Sequence, residues 1–162
     1  MKQVNQLAFF NFIFSNSDGI IFYNLCKDYV NKSYKSFRFY TFKIDENGFL
    51  PKSATDFAVD TGYVDTTIRR SLHHLKDLGF VEILKNDYTR TNGFALNNIS
   101  SYKPYLNSDR YLKLCEDLLS KNTKSWTSSN ENIAYNILTP YIQLLKENPN
   151  FLEAIDMINA KF

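Results

Sequence analysis

Residues 53–79 constrain the fold more than any other part of the chain. Ser53 is a residue type that caps helix N-termini, and it precedes a short helix predicted from Ala54 to Asp60. Gly62 then permits a sharp turn, because glycine adopts left-handed backbone conformations at little cost. A second helix is predicted from about Asp65 to Leu78, with Gly79 at its C-terminal cap position. Two short helices joined by a tight turn meet at a steep angle.

The second of these helices has two different faces. One face carries an apolar stripe at spacings of four and three residues, formed by Ile68, Leu72 and Leu75. At 100° per residue, the opposite side carries Thr66, Arg70, His73 and Asp77, while Thr67 and Arg69 lie on the flanks. Hydroxyl, guanidinium and imidazole groups suit contacts with phosphates and base edges in a major groove. The pattern therefore predicts a recognition helix that binds double-stranded DNA.

The flanking segments complete a mainly α fold with a small β-hairpin. Before the two helices we predict a helix over residues 20–30, capped at 17–19, then one short strand over 35–44 and a turn at 45–48. After them we predict an apolar strand over 80–84, a polar turn over 85–92 and a returning strand over 93–96. The order of elements is helix, strand, helix, tight turn, helix and hairpin, which is an α+β arrangement.

Residues 50–81 resemble the winged helix-turn-helix of the GntR family. The resemblance rests on Leu50-Pro51-Lys52-Ser53, Gly62-Tyr63-Val64, Asp65-Thr66-Thr67-Ile68-Arg69, Leu72, Leu75 and Gly79-Phe80-Val81. It implies DNA contacts at Thr66, Thr67 and Arg69. The chain departs from the family at Asp65, where the family has arginine, and at Thr55, where the family often has arginine on the preceding helix. We expect Asp65 to serve as the helix N-cap. About 65 residues follow the wing, too few for a GntR-type effector domain.

The N-terminal two-thirds of the chain also resembles the winged-helix domains of phage and plasmid replication organisers. These proteins place a helix after an Asp-containing turn, then Asn-Gly-Phe/Tyr-Leu, then the helix-turn-helix. The corresponding residues here are Asp18-Gly19-Ile20-Ile21 and Asn47-Gly48-Phe49-Leu50.

The predicted DNA-contacting set combines the recognition helix with its surroundings. The turn over residues 85–92 would form a wing whose Lys85 and Arg90 reach phosphates or a minor groove, although a solvated hairpin turn is an equal alternative. The complete set is Lys52, Tyr63, Thr66, Thr67, Arg69, Arg70, His73, His74, Lys85 and Arg90.

The sequence carries no pattern typical of an enzyme, a metal site or a cofactor site. Its two His are adjacent, so that on a helix they point in different directions, and no Cys or further His is placed to join them. No Ser-His-Asp or Cys-His arrangement is available, and its five Gly form no phosphate-binding loop. Asp56 and Asp60 lie one helical turn apart and are interpreted as a solvated face. We therefore predict a non-enzyme without metal or cofactor.

Net charge gives weak support for a nucleic-acid partner. The whole chain carries +2, residues 51–97 carry six basic and six acidic residues, and residues 129–162 carry two basic and four acidic residues. The C-terminal segment is therefore not expected to face phosphate. No apolar run is long enough to span a membrane, and we predict a cytoplasmic protein.

We predict a DNA-binding domain over residues 1–98 and a helical C-terminal extension over 99–162. In the extension, a helix from 107 to about 120 is followed by a polar linker over 121–130, a helical stretch over 131–146 interrupted at Pro140, and another over 149–161. An apolar stripe at helical spacing forms either intramolecular core or, as we favour, a homodimer surface: Ile133, Ile137, Leu138, Tyr141, Ile142 and Leu145. Docking of a replication or regulatory protein is the alternative.

The leading functional hypothesis is a small transcriptional regulator that binds double-stranded DNA sequence-specifically. The first alternative is a replication initiation, organiser or partition factor of a plasmid, phage or other mobile element. The second is a winged helix used only for protein–protein contact, which the neutral charge of residues 51–97 and the presence of Asp65 both favour.

Overall fold

The computed structural model describes residues 6–14, 17–36, 39, 41–85, 99–125 and 128–155. Side chains are described throughout these ranges except at residue 6 and over 121–125 and 128–134. The described chain is mainly helical with a small amount of antiparallel β structure, as the sequence predicts, but it has two sheets where one hairpin was expected. Its elements are α1 (Gln6–Ile13), α2 (Ser17–Val30), β1 (Ser33–Lys35), β2 (Thr41–Lys43), β3 (Leu50–Ser53), α3 (Ala54–Thr61), α4 (Asp65–Asp77), β4 (Val81–Lys85), β5 (Ile99–Pro104), α5 (Ser108–Ser125) and α6 (Ser128–Glu147).

The chain divides into two compact units. One, here called the mixed unit, spans Ile20–Tyr105; the other, the helical unit, combines Met1–Gly19 with Leu106–Phe162. The division falls within α2 and after β5, whereas the sequence analysis divided the chain once, at residue 98. The difference arises because β5 is hydrogen-bonded to two strands of the mixed unit and α1 packs with α5 and α6.

The main sheet of the mixed unit has the strand order β3-β5-β4, with both pairs antiparallel. Tyr102 lies at its centre, opposite Leu50 on one side and Ile83 on the other. The returning strand predicted over 93–96 lies outside the described residues, and the strand that pairs with β4 is β5. Strand β5 was not predicted, because its sequence Ile-Ser-Ser-Tyr-Lys-Pro has few of the β-branched and aromatic residues typical of strands and ends in proline.

The second sheet of the mixed unit is a hairpin of β1 and β2, in which Tyr34 lies opposite Phe42. The prediction of one strand over 35–44 is therefore wrong. Phe39 lies between the two strands and adopts φ 69°, a left-handed conformation that residues other than glycine rarely adopt. Without a glycine or proline at this position, the sequence gives no sign that the chain reverses here. The turn predicted at 45–48 is confirmed, since the Gly48 N–H donates to the Asp45 carbonyl at 3.0 Å.

The helical unit has an aromatic core that joins its two stretches of chain. The Phe9 ring of α1 stacks on the Tyr141 ring of α6 with centroids 3.8 Å apart. The Tyr111 ring of α5 stacks on Phe151, which begins a helical segment over 151–155. Four side chains from the N-terminal segment are buried in this core: Phe9, Phe10, Ile13 and Phe14.

Two predictions about the C-terminal helices are wrong. The polar linker over 121–130 does not exist as predicted, because α5 continues to Ser125 and α6 begins at Ser128. Lysine, asparagine, serine and threonine are only moderate helix formers, but none of them stops a helix as glycine does. Pro140 lies inside α6 without ending it. Of the helical stretch predicted over 149–161, residues 156–161 lie outside the described part.

The apolar stripe of α6 packs within its own unit. Leu138, Tyr141 and Leu145 are at most 3% exposed, and Ile137 and Ile142 are half-buried. Ile133 lies among the side chains that the structure does not describe. The stripe is therefore intramolecular core rather than the homodimer surface that we favoured, and dimerisation stays a prediction without an assigned surface.

Gly19 provides a mutational test of its close packing against α1 within the helical unit. A Cβ atom at this position would lie 2.6 Å from Asn11 Oδ1, 2.8 Å from Asn11 Cα and 2.8 Å from the Phe10 carbonyl oxygen. Because two of these atoms are backbone, Gly19→Ala is expected to lower the free energy of unfolding by about 2 kcal/mol, as overpacking does. Denaturant unfolding monitored by circular dichroism measures it. Adding Asn11→Ala should not restore stability; an alanine variant more stable than the parent, as helix propensity alone predicts, would refute the close contact.

Candidate nucleic-acid interface

The pair α3 and α4 forms as the local sequence signals predict. Ser53 caps α3, with its Oγ accepting a hydrogen bond from the Asp56 N–H at 3.0 Å. Gly62 ends α3 with φ 81°, and its N–H donates to the Ala58 carbonyl at 2.8 Å. Only residues 62–64 separate the two helices. The predicted helix–turn–helix order is thus present, with bounds within one residue of those expected.

The N-terminus of α4 differs from the prediction. Val64 occupies the N-cap position without a side-chain capping bond, so the expectation that Asp65 caps the helix is wrong. Asp65 is instead the first helical residue, and its Oδ2 accepts a hydrogen bond from Arg69 Nε at 2.9 Å. Both side chains are more than half exposed, and a surface pair of this kind contributes little to stability. Its importance is electrostatic, because it offsets the charge of Arg69.

The rest of α4 separates into buried and exposed faces. Ile68, Leu72 and Leu75 are at most 3% exposed, which confirms the predicted apolar stripe; Ser71 is buried beside them. The exposed side carries most of the predicted DNA-contacting residues, and Thr67 is half-buried at its edge. Among the described residues, Arg70 forms no ion pair. The exposed set consists of Thr66, Arg69, Arg70, His73 and His74.

Lys52 does not belong to this surface, and its prediction as a DNA contact is wrong. Its side chain is 0% exposed, and Nζ forms ion pairs with Asp28 and, at 2.7 Å, with Asp60. Nζ also donates to Asn24 Oδ1 at 2.7 Å. A buried ammonium group surrounded by acceptors cannot reach a phosphate. Lys52 instead joins β3 to α2 and α3.

Two aromatic rings lie beside this ammonium group, and one of them bonds a buried carboxylate. Lys52 Nζ lies 4.8 Å from the ring centroid of Tyr34 and 4.7 Å from that of Phe57, within cation–π range. Tyr34 Oη donates to Asp56 Oδ2 at 3.2 Å. Asp56 is only 4% exposed, so the interpretation of Asp56 and Asp60 as a solvated face is wrong for Asp56.

Burial dominates the protonation behaviour of this cluster. It raises the pKa of Tyr34 well above that of an ordinary phenol, and the nearby Asp56 carboxylate adds to the effect. Burial also raises the pKa of Asp28, while the hydrogen bond and charge of Lys52 work in the opposite direction. The arrangement is a structural anchor that holds β1, β3, α2 and α3 together.

The remaining predicted contacts lie around α4. Tyr63 is half-buried in the turn, where its N–H donates to Thr61 Oγ1 at 3.3 Å. Lys85 is exposed at the end of β4. Arg90 and the rest of the predicted wing lie outside the described residues.

The β1–β2 hairpin carries a second basic surface, which was not predicted from the sequence. Lys35 and Lys43 lie on the face opposite the stacked Tyr34 and Phe42 rings, and Lys32 is exposed at the base. Phe39 at the tip is 79% exposed. The signal available in the sequence was three lysines within residues 32–43 and no acidic residue among them.

Comparisons with known proteins find no matching family model, no similar curated protein and no similar solved structure. In the described part of the chain, no helix has the length and apolar character needed to cross a membrane. The described residues also contain no group of three or more His, Cys, Asp or Glu side chains placed to hold a metal ion.

Proposed function

We propose that the mixed unit is a winged helix-turn-helix that binds double-stranded DNA sequence-specifically, with α4 in the major groove. The observation that carries the proposal is the contrast between the faces of α4: an apolar side buried in the unit and an exposed side with Thr66, Arg70 and His73. An amphipathic helix of this length whose free side is rich in hydrogen-bond donors suits base-edge and phosphate contacts.

The chain topology supports the same proposal. Two helices are joined by a short turn that contains Gly62, as in helix-turn-helix motifs. The helices are followed by β4 and β5, and β5 lies between β4 and β3. In a winged helix this sheet holds the recognition helix in place, and the loop between its last two strands forms the wing. Lys85 is the last residue of β4, directly before that loop.

The charges on α4 fit a protein that recognises a DNA sequence through few charged contacts. The helix carries Arg69, Arg70 and Lys76 against Asp65 and Asp77. Arg69 is already engaged by Asp65, so Arg70 is the arginine free to form a bidentate contact with guanine. Thr66 and His73 supply further polar groups from the same side. We propose a transcriptional regulator as the biological role.

A replication or partition factor of a mobile element is the second candidate. The observation that favours it is the turn at 45–48, which leads through Phe49 into Leu50 of β3 as in the replication organisers that the chain resembles. The two roles differ in where the DNA site lies: in a promoter for a regulator, and as repeats in an origin for a replication factor.

Selection of bound duplexes from a random-sequence pool and from a genomic fragment library, each at two salt concentrations, tests the proposal. Salt-sensitive binding with an enriched site is the expected result, because phosphate contacts release counterions. The genomic position of that site separates the two roles. Absence of binding at low salt would refute DNA recognition and favour a winged helix used for protein contact.

Asp65→Asn is expected to raise DNA affinity. The substitution removes a negative charge from the N-terminus of α4 and releases Arg69, which Asp65 engages at 2.9 Å. We expect affinity to rise roughly fivefold at low salt, equivalent to about 1 kcal/mol, and the salt dependence to steepen by about one phosphate contact. Fluorescence anisotropy titrations over a salt series measure both. Asp77→Asn, at the other end of α4, is the matched control, and equal effects of the two variants would contradict a specific role for the Asp65–Arg69 pair.

A further inference from the structure

We propose that the β1–β2 hairpin is a second DNA-contacting surface, with Lys32, Lys35 and Lys43 on phosphates that flank the groove occupied by α4, and Phe39 against the minor groove. The inference rests on the proposed function and extends it to a part of the mixed unit that precedes the helix-turn-helix. The ligand of this surface is the backbone of the DNA duplex.

The geometry of the hairpin presents its charges outward. Opposed residues of an antiparallel pair share a face, so the pairs Ser33–Lys43 and Lys35–Thr41 lie on one face and Tyr34–Phe42 on the other. Tyr34 and Phe42 stack with centroids 5.4 Å apart, and Tyr34 is buried. Lys35 and Lys43 therefore point away from the unit, where both are exposed.

These lysines are available to a polyanion. Among the described residues, Lys32, Lys35 and Lys43 form no ion pair, in contrast to Lys52. No acidic residue lies in the described parts of the chain between Tyr29 and Ile44. Exposed lysines that form no ion pair attract phosphate and make binding salt-dependent.

Phe39 adds an apolar group at the tip. It is 79% exposed and adopts φ 69°, a conformation that costs a non-glycine residue about 1–2 kcal/mol. Lys35 Nζ lies 5.5 Å from the ring centroid of Phe39. An exposed aromatic ring among lysines suits an apolar contact in a minor groove, whose floor and walls accept such side chains.

The position of the hairpin fits the docking of α4. Tyr34 Oη bonds Asp56 in the first turn of α3, so the hairpin is anchored beside the N-terminal end of that helix. In helix-turn-helix complexes the first helix of the pair crosses the DNA backbone while the second enters the major groove. A surface beside the first turn of α3 therefore lies where the flanking backbone passes.

The test compares the triple variant K32S/K35S/K43S with the full-length parent on the enriched duplex, by anisotropy over a salt series. We expect affinity at low salt to fall about 10- to 100-fold. The slope of log affinity against log salt concentration should become shallower by roughly 2–3, since each lost phosphate contact accounts for about 0.9. The selected DNA sequence should stay the same. The matched control is K27S/K113S/K146S, which removes three exposed lysines elsewhere and leaves the slope unchanged. F39S is expected to lower affinity several-fold without a change of slope, since no charge is lost.

The outcomes separate this inference from the proposed function. If the triple variant binds like the parent while substitution of Arg70 weakens binding, the hairpin surface is refuted and recognition by α4 stands. If the triple variant loses affinity and substitution of Arg70 has no effect, the hairpin is supported as a DNA-contacting surface, but the groove placement of α4, and with it the position of the hairpin beside that groove, is refuted. Absence of parent binding at low salt refutes both, and unchanged affinity of F39S refutes the minor-groove contact.

Discussion

Lys52→Met is expected to lower the free energy of unfolding by about 3–5 kcal/mol, the cost of breaking a buried ion pair by removing one partner. The ammonium group is fully buried and bonds Asn24, Asp28 and Asp60. Methionine fills a similar volume but offers no donor, so the mostly buried Asp28 carboxylate loses its main partner. Guanidinium denaturation followed by circular dichroism measures the change. K43M, which alters an exposed lysine of the same unit, should stay within about 0.5 kcal/mol of the parent.

The pH dependence of the stability of K52M shows whether the unpaired Asp28 carboxylate causes the loss of stability. Burial raises the pKa of Asp28 in the folded protein, and loss of Lys52 removes the interaction that lowers it. A group whose folded pKa is raised contributes stability that is present below its unfolded pKa and lost as pH rises through the folded value. The stability difference between K52M and the parent should therefore be widest near neutral pH and narrow as pH falls towards 4, about the ordinary pKa of aspartate.

A double variant gives an independent check. In K52M/D28N the carboxylate charge is absent, so much of the lost stability should return at neutral pH. A K52M variant that is as stable as K43M, or one whose deficit grows at acid pH, would contradict the role of Lys52 as the partner of buried carboxylates.

Arg70→Ala is expected to weaken binding to the enriched duplex by about 10- to 100-fold, the equivalent of 1–3 kcal/mol for an arginine that contacts guanine. Arg70 is exposed on α4 and forms no ion pair among the described residues. Arg69→Ala should have a smaller effect, because Asp65 already offsets the charge of Arg69. Competition titrations against a panel of single-base variants would show whether selectivity is relaxed at one position.

The control for the Arg70→Ala substitution must keep the positive charge and change only the hydrogen-bond geometry of the side chain. R70K preserves one positive charge but cannot form the bidentate pair, so the salt slope should persist while base selectivity falls. If R70A and R70K both leave affinity, slope and selectivity unchanged, α4 does not lie in the groove as proposed. Lys113→Ala on α5 provides the charge-matched variant in the helical unit.

The sequence predicted best the features that are determined locally. Ser53 and Gly62 set the ends of α3 through contacts three or four residues away, and the spacing of Ile68, Leu72 and Leu75 identified the buried side of α4. Each of these signals depends on residues within a turn or two of helix. The structure therefore confirms these predictions.

The misplaced features depend on partners far away in sequence. Lys52 appeared to be a surface cation because its acceptors Asn24 and Asp28 lie 28 and 24 residues earlier. Strand β5 has a weak local signal and exists through hydrogen bonds to β3 and β4. Local sequence patterns do not predict such long-range contacts. The burial of Lys52 and the central position of β5 can therefore be recognised only in the tertiary structure.

The ring stack between Phe9 and Tyr141 has a consequence for biosynthesis. Tyr141, on which Phe9 stacks, emerges from the ribosome more than one hundred codons after α1, whereas the contiguous mixed unit can be completed much earlier. During translation, Phe9 and Phe10 therefore lack their ring partners Tyr141 and Phe151 while residues 20–105 are already complete. Such a delay leaves apolar side chains of α1 exposed during synthesis, and closure of the helical unit must wait for its C-terminal helices.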